Sequence, residues 1–302
     1  MPVRESKLEF MEGFMKNGVK TGLVLEGGAM RGLFTAGVLD VFMENNILAD
    51  GVAAVSAGAT FGCNYKSRQI GRTIRYNRCF SKDWRYASFR SLVKTGDFYG
   101  ADFCYNRIPN ELDVFDFETF RKNPIPFFVV ATDCKTGKAV YKNLESGDAC
   151  DLTWMRASAS MPLVSHPVEI DGYTLLDGGM TDSIPLEFLE SQGFERNIVI
   201  LTQPRNYVKK KNLLVPLFKF ALKKYPAVAQ AMKNRHTMYN RQTEFVFAQE
   251  KKGSVFVICP EKSLKISRTE KNPAELQRVY DIGRLTAENL LESLKNWLAA
   301  GC

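Results

Sequence analysis

The chain has 302 residues, 45% of them hydrophobic and 25% charged, which is the composition of an ordinary globular protein with a sizeable core. Its first 18 residues lack the apolar core of a signal peptide, and no apolar run approaches the length of a membrane span. The formal net charge of +8 favours anionic partners, either nucleic acid or lipid headgroups. The sequence therefore predicts a cytoplasmic protein.

Cysteine and histidine usage argues against a metal centre. Seven cysteines are scattered along the chain without Cys-x-x-Cys spacing, which fits free thiols in a reducing compartment. The histidines are His166 and His236, too few for a zinc site of the usual ligand spacing. We expect no metal and no cofactor.

Short apolar runs alternate with helical patterns along most of the chain. The predicted strands are "TGLVLEGG", "GVAAVS", "PFFVVATD", "NIVILTQ" and "SVFVICP". Helical spacing follows the first strand to about Asn45, starts again after the second, and recurs from about Pro273 to Leu298. This alternation predicts βαβ units, with a mostly parallel sheet covered by helices on both faces. No linker or repeat divides residues 1–302, so we expect one domain, with 186–302 as its C-terminal part.

Residues 76–120 differ from the rest of the chain. Twelve of these 45 positions are aromatic, against 12% for the whole chain, and no strand pattern is visible there. We expect a helical or irregular insertion over one end of the sheet. The sequence leaves open whether its aromatic residues form a local core or an apolar binding surface.

The stretch "EGGAMRG", residues 26–32, lies between a predicted strand and a helix. Glycines let the backbone approach a ligand and direct amide N–H groups at it. Gly27, Ala29 and Gly32 match a dinucleotide fingerprint only weakly, because Ser56 stands where the next strand should end on an acidic residue. Apolar residues in place of Lys and Ser/Thr exclude a P-loop. A purely structural turn is the alternative.

The stretch "AAVSAGAT" places Ser56 after an apolar run, with only small residues around it. A strand-to-helix turn that lifts a serine Oγ clear of the chain needs small residues two positions before and two after it. Ala54 and Gly58 occupy those positions, so the usual G-x-S-x-G appears as "AVSAG". A tightly packed α/β turn would explain the same pattern.

The stretch "LLDGGMTDSIP" places Asp177 at a predicted strand end, followed by Gly178 and Gly179. Alone, it is typical of a β-turn. Together with the two earlier sites it predicts a nucleophile, a base and backbone amides for an oxyanion. His236 lies in a basic helical stretch, and local packing is the favoured role for His166. A two-residue Ser–Asp centre is therefore the hypothesis.

At these residues the sequence resembles the patatin-like phospholipases, a family of acyl hydrolases with a Ser–Asp dyad. The family's G-G-G-x-R-G, G-x-S-x-G and D-G-[AG] match "GGAMRG", "AVSAG" and "DGG". Two further blocks agree, "VVATDCKTGKAVY" and "RASASMPLVSHPVEIDGYTLLDGGMTDSIP", so the similarity covers residues 22–185. The order and spacing of the blocks make the match specific.

The resemblance implies a three-layer α/β/α sandwich with Ser56 as nucleophile and Asp177 as base. It also places three backbone amides near the oxyanion, those of Gly27, Gly28 and Ala29. The chain departs from the family pattern at Ala29 and Ala54, where the family has glycine. Residues that support the motifs are Arg31, Gly32, Ala54, Gly58, Gly178 and Gly179. Arg31 would either hold the loop or meet a lipid phosphate.

The function implied is hydrolysis of a phospholipid or another acyl ester through an acyl-enzyme. The alternative is a module that binds a nucleotide or a lipid on the same fold without catalysis. Nucleic acid is not expected as a partner, because no basic motif interleaved with aromatic residues accompanies the positive charge.

A candidate membrane contact is the stretch "KKKNLLVPLFKFALKKYP", residues 209–226. A helix there would place apolar residues on one face with lysines at its edges, which suits an anionic membrane interface. The alternative is a helix packed on the sheet with solvated lysine ends.

Overall fold

The computed structural model describes residues 19–213, 217 and 222–300. Its framework is one eight-stranded sheet. The strands are β1 (Thr21–Leu25), β2 (Gly51–Val55), β3 (Phe127–Asp133), β4 (Ala139–Leu144), β5 (Val168–Ile170), β6 (Tyr173–Asp177), β7 (Arg196–Ile200) and β8 (Val255–Ile258). They lie in the order β5-β6-β3-β2-β1-β7-β8, with β4 paired to β3. Pairs along β3-β2-β1-β7-β8 are parallel, and those involving β4, β5 and β6 are antiparallel.

Helices connect the strands and cover the sheet. The described α-helices are α1 (Gly32–Glu44), α2 (Ala57–Lys66), α3 (Arg72–Phe80), α4 (Phe89–Thr95), α5 (Phe117–Lys122), α6 (Ala149–Ala159), α7 (Leu186–Ser191), α8 (Pro226–Lys251) and α9 (Pro273–Ala299). Shorter elements are a π-helix at Phe103–Leu112 and 3₁₀ turns at Ala29–Arg31 and Gly178–Met180.

Alternating side chains of the central strands enter two separate apolar cores. Leu23 and Leu25 of β1 pack with α1, α2 and α9, whereas Val24 packs on the other face with α7 and α8. A strand buried on both faces reads as a nearly continuous apolar run, which is the pattern of "GLVL". The prediction of a three-layer α/β/α sandwich with a mostly parallel sheet is confirmed.

The last helix, α9, packs closely against α1. A methyl group added to Gly37 of α1 would lie 2.2 Å from the carbonyl oxygen of Tyr280, so the two backbones touch where no side chain intervenes. The Tyr280 hydroxyl donates to Asp40 Oδ2 at 2.6 Å, and Arg284 forms an ion pair with Glu44. The C-terminal stretch therefore packs on the same sheet as the N-terminal motifs.

Residues 76–120 contain α4, the π-helix and the beginning of α5, and Ala87 and Tyr99 form an isolated β-bridge. Edge-to-face aromatic contacts hold the segment together, such as that between Phe80 and Phe103. The segment thus consists of short helices and irregular stretches.

The helix predicted within residues 209–226 falls largely on residues 214–216 and 218–221, which lie outside the described residues. Of its apolar face, Leu222 is buried against Val228 and Met232 and forms part of a turn before α8. Within the described ranges, no helix combines the length and the apolar character needed to cross a membrane.

Candidate active site

Ser56 occupies the turn between β2 and α2. Its backbone has φ of 54° and ψ of −120°, a conformation that side chains disfavour and that points Oγ away from the chain. A methyl group on Gly58 would lie 2.6 Å from the carbonyl oxygen of Leu25, so only glycine lets α2 start this close to β1. Ala54 is fully buried in β2. The small residues therefore occupy the positions that the sharp turn requires.

The sheet register brings Asp177 to Ser56, although 121 positions separate them in the sequence. Val55 pairs with Val130 of β3, and Asp177 at the end of β6 pairs with the next residue of β3, Ala131. Ser56 Oγ donates a hydrogen bond to Asp177 Oδ2 at 2.7 Å. The other carboxylate oxygen, Oδ1, accepts the amide N–H of Gly179 at 2.8 Å.

The Asp177 carboxyl is buried, with 1% of its surface exposed. Burial raises its pKa, because the charged form loses water. The positive charge of Arg235 opposes this shift, as do the hydrogen bonds from Ser56 and Gly179. Arg235 also donates from Nε to the Gly179 carbonyl at 2.6 Å, so α8 holds the turn that follows Asp177.

Two serines hydrogen-bond the backbone of the Ser56–Asp177 pair, one within α6 and one at its C-terminal cap. Ser158 Oγ accepts the backbone N–H of Ser56 at 2.8 Å and donates to the Val130 carbonyl at 2.6 Å. The Ser160 carbonyl accepts the backbone N–H of Asp177 at 2.8 Å. Sequence analysis did not single out these residues, although both lie in the quoted "RASASMP" block.

The glycine-rich loop lies directly against Ser56. A methyl group on Gly27 would lie 3.0 Å from Ser56 Cβ, and Ala29 lines the same cavity as Ser56. Within the part of the chain that the structure describes, the amide N–H groups of Gly27, Gly28 and Ala29 have no hydrogen-bond acceptor. Ala29 has a positive φ of 50°, which explains why glycine suits this position better.

A buried carboxylate that sequence analysis missed anchors the loop. Glu26 Oε2 accepts the Thr202 N–H at 2.6 Å, and Oε1 accepts the Tyr239 hydroxyl at 2.9 Å. Arg31 lies beside it and donates from Nε to Thr202 Oγ1 at 3.4 Å. The sequence feature that could have indicated this role is the acidic residue next to the glycines of "EGGAMRG".

Gly32 and Gly178 also lie at close approaches between elements. A methyl group on Gly32 would lie 2.8 Å from Ala57 Cβ, so α1 and α2 begin side by side. A methyl group on Gly178 would lie 2.1 Å from the Val130 carbonyl oxygen. Both positions thus keep the serine and aspartate turns close together.

Neither histidine is hydrogen-bonded to the Ser56–Asp177 pair in the described structure. His166 is exposed, its ring lies against Gly96, and its backbone N–H donates to Asp97. His236 is on α8, with Nδ1 3.1 Å from the Lys233 carbonyl. Among residues 19–213, 217 and 222–300, no group of three His, Cys, Asp or Glu side chains could hold a metal.

An apolar cavity of about 150 Å³ opens beside Ser56. The 76–120 segment provides much of its wall, with α2 and α6 on the other sides. Its lining includes Tyr76, Tyr86, Tyr99, Cys104, Tyr105, Ile108, Phe115, Leu152, Met155 and Val164. The aromatic segment is therefore both a packed local core and the wall of a cavity.

A serine on a strand-to-helix turn, beside free amides and an apolar cavity on an α/β/α sandwich, is the general arrangement of α/β serine hydrolases. The chain belongs to the patatin-like phospholipase family, whose model matches residues 23–189. A second model, a domain of unknown function called DUF6363, matches residues 225–299.

Individual relatives and one solved structure are also similar to this chain. The chain is 26% identical to the uncharacterized protein YjjU of Escherichia coli, over 91% of this chain and 78% of that protein. It is 28% identical to lysophospholipase NTE1 of Candida glabrata, over 64% of this chain but only 11% of that protein. The crystal structure of VipD from Legionella pneumophila aligns over 89% of this chain and 67% of that one, with 13% identity and a TM-score of 0.41. Family membership supports lipid hydrolysis as the general function.

Proposed function

We propose that the protein hydrolyses lipid acyl esters with Ser56 as nucleophile and Asp177 as general base. The observation that carries this proposal is the 2.7 Å hydrogen bond from Ser56 Oγ to Asp177 Oδ2. Asp177 takes the hydroxyl proton as Oγ attacks the ester carbonyl, and the proton then passes to the departing alcohol. Water, deprotonated by the same carboxylate, hydrolyses the acyl-enzyme and frees Ser56.

The tetrahedral oxyanion would be stabilised by backbone amides. The N–H groups of Gly27, Gly28 and Ala29 are free of protein acceptors among the described residues, next to the attacking serine. The N-terminus of α2 begins immediately after Ser56 and adds its positive end. Such donors act mainly in the transition state, because that is where the negative charge develops.

The apolar cavity is the proposed site of the acyl chain, because its lining is aromatic and aliphatic and it opens at Ser56. Phospholipids, lysophospholipids and neutral esters all carry such a chain. The relative named lysophospholipase NTE1 adds support for a lysophospholipid.

The dyad is tested by Ser56→Ala and Asp177→Asn, with a short soluble ester as substrate. Each should lower kcat by at least about a thousandfold, and the double variant should lose little more, because members of one catalytic unit are not additive. His166→Ala is the matched control and should retain most activity, since no hydrogen bond joins it to the pair in the described part of the chain. Near wild-type turnover in Asp177→Asn would contradict the dyad.

A fluorophosphonate probe separates the enzyme from a non-catalytic binding module. The wild type should be labelled at Ser56, whereas Ser56→Ala should not. A wild type that resists labelling and hydrolyses no ester would favour the module.

The protein is also proposed to contact anionic membranes peripherally. Phe89 and Val93 of α4 are 76% and 86% exposed, with the exposed cations Arg90 and Lys94 between and beside them. Phe89 contacts Phe98, whose N–H donates to the carbonyl of Val164 at the cavity wall. This surface combines apolar area and positive charge beside the acyl site, as an interfacial contact requires.

A further inference from the structure

A second, larger depression adjoins the apolar cavity. It has a volume of about 880 Å³, and Met161 lines both spaces. We call it the basic groove. Its walls come from the loop at 204–212, from α8 and from the loop at 261–268. Met161 therefore forms part of the wall of both the apolar cavity and the basic groove.

Positive side chains converge on the basic groove from three segments. Lys209, Arg235 and Arg268 line it, and Arg31 is close enough to repel Lys209 and Arg235. Within the described ranges, none of these four cations has a carboxylate oxygen within 4.0 Å. An unpaired cluster of this kind favours a ligand that brings negative charge.

Three carboxylates lie near these four cations, two of them buried and one exposed. Glu26 is buried and accepts hydrogen bonds from Thr202 and Tyr239. Asp177 accepts hydrogen bonds from Ser56 and Gly179. Glu261 lines the groove but is exposed to solvent. Positive charge therefore exceeds the negative charge available to balance it.

Lys209 is held in place rather than extended into solvent. Its backbone N–H donates to Asn240 Oδ1 at 2.8 Å, and its carbonyl accepts from Asn240 Nδ2 at 3.1 Å. Its ammonium lies 4.0 Å from the Tyr239 ring centroid. Burial, together with the positive charge of Arg235, lowers the pKa of Lys209 to about 7. A bound anion would restore the charged form, so the free site is electrostatically unfavourable.

Arg235 connects the basic groove to the proposed dyad. Its Nε–H donates to the carbonyl of Gly179, two residues after Asp177, and Arg235 is among the residues that line the groove. A guanidinium held through one nitrogen still offers donors for a phosphate. An anionic group bound there would lie next to the ester that Ser56 attacks.

We propose that the basic groove binds the phosphate-bearing headgroup of the lipid whose acyl chain fills the apolar cavity. The substrate class would then be an anionic phospholipid or lysophospholipid rather than a neutral ester. This assignment rests on the proposed hydrolysis at Ser56.

The test compares two esters with the same octanoyl chain, lysophosphatidic acid and monoacylglycerol, both below their micelle concentrations. The wild type should prefer the phosphate-bearing ester by about tenfold or more in kcat/KM, as expected for charge-assisted contacts. Lys209→Met and Arg268→Gln should each raise KM for that ester about tenfold and leave the neutral ester unchanged. Lys233→Met is the matched control, an exposed lysine of α8 outside the groove lining.

Equal use of the two esters by the wild type would overturn the assignment. So would a preference that both groove variants retain. Titration with inorganic phosphate distinguishes a headgroup site from a site for free phosphate. Weak competition by phosphate against lysophosphatidic acid, with none against monoacylglycerol, fits the headgroup site. Tight phosphate binding without any ester preference would overturn it.

Binding to an inactive variant keeps this test separate from the proposed chemistry. Calorimetric titration of Ser56→Ala with lysophosphatidic acid should show binding that Lys209→Met weakens about tenfold in that background. That result would support headgroup binding in the basic groove even if the wild type hydrolysed no ester. A lack of hydrolysis would overturn only the proposed reaction at Ser56. Binding unaffected by Lys209→Met would overturn the groove even if the reaction were correct.

Discussion

Ser56 combines the proposed chemistry with backbone strain. Its φ of 54° and ψ of −120° lie in a region that non-glycine residues rarely adopt, which costs about 1–3 kcal/mol. The surrounding structure maintains it through the N–H bond to Ser158 and the tight crossing at Gly58. Position 56 is therefore one at which stability and activity should oppose each other.

Comparing glycine with alanine at position 56 should measure the stability cost of the strained turn separately from activity. Ser56→Gly should be about 1 kcal/mol more stable than Ser56→Ala, because glycine adopts positive φ at little cost. Denaturant unfolding measures the difference, and both variants should be inactive. At Ser191, an exposed helical position of α7, the order should reverse in favour of alanine. Equal stability of the two Ser56 variants would show that the turn is unstrained.

The protonation of Asp177 should set the acidic limit of activity. A base must be ionised, so activity is lost as pH falls through its pKa, which burial raises above the usual carboxyl value. Arg235→Met removes the positive charge that opposes this shift and should move the acidic limb of the kcat/KM profile to higher pH. Arg241→Met is the matched control, because Arg241 is exposed on the same helix and paired with Glu187. An acidic limb that stays in place in Arg235→Met would contradict the role of Arg235.

The predictability of the site differed from residue to residue. Small residues around Ser56 predicted its turn, because the steric demand of the turn is local in sequence. Ser158 and Tyr239 were not found, because the first lies 102 positions from Ser56 and the second 213 positions from Glu26. Such partners are defined by the strand order, and ordinary core serines and tyrosines look the same in a sequence.

Among the elements, the aromatic segment 76–120 shows why composition left two alternatives open. Phe103 and Phe115 are buried, whereas Tyr99 and Tyr105 are partly exposed. Phe115, Tyr99 and Tyr105 all line the cavity. An aromatic count does not distinguish a side chain that fills space from one that encloses it. The π-helix at Phe103–Leu112, with Pro109 inside it, has no simple period and was likewise not predictable.

The π-helix should control the acyl-chain length. Ile108 is 2% exposed to solvent and lines the cavity, so Ile108→Trp should fill part of its volume of about 150 Å³. We expect kcat/KM for a dodecanoyl ester to fall about tenfold or more, while an acetyl ester is hydrolysed as before. Val114→Trp, at an exposed position of the same segment, should change neither. An unchanged chain-length profile in Ile108→Trp would place the acyl chain elsewhere.

At the scale of the molecule, the fold assembles the proposed site from both ends of the chain. Parallel β1 and β2 bring the glycine loop and Ser56 to one edge of the sheet. The C-terminal part adds Tyr239 and Arg235 from α8. The sequence predicted the α/β/α layers because apolar runs and helical spacing alternate. It did not predict the contribution of α8, because that helix carries no recognisable motif. Its role depends on contacts with Glu26 and Gly179, which are distant in the sequence.

The arrangement of these surfaces leads to a prediction about the whole molecule at a membrane. Phe89→Ser/Val93→Ser should weaken binding to phosphatidylglycerol-containing vesicles about tenfold, because apolar area would no longer be buried at the interface. Sedimentation with vesicles measures this, and hydrolysis of a soluble short ester should not change. Leu285→Ser, at a residue 58% exposed on α9, is the matched control.

The same experiment distinguishes α4 from the lysine-flanked stretch 209–226. If that stretch were the contact, Lys223→Gln/Lys224→Gln would weaken vesicle binding in a salt-sensitive way and the α4 variant would not. We expect the opposite, because Leu222, adjacent to these lysines, is buried against Val228 and Met232, whereas Phe89 and Val93 of α4 are exposed. Undiminished binding by the α4 double variant would show that this helix is not the membrane contact.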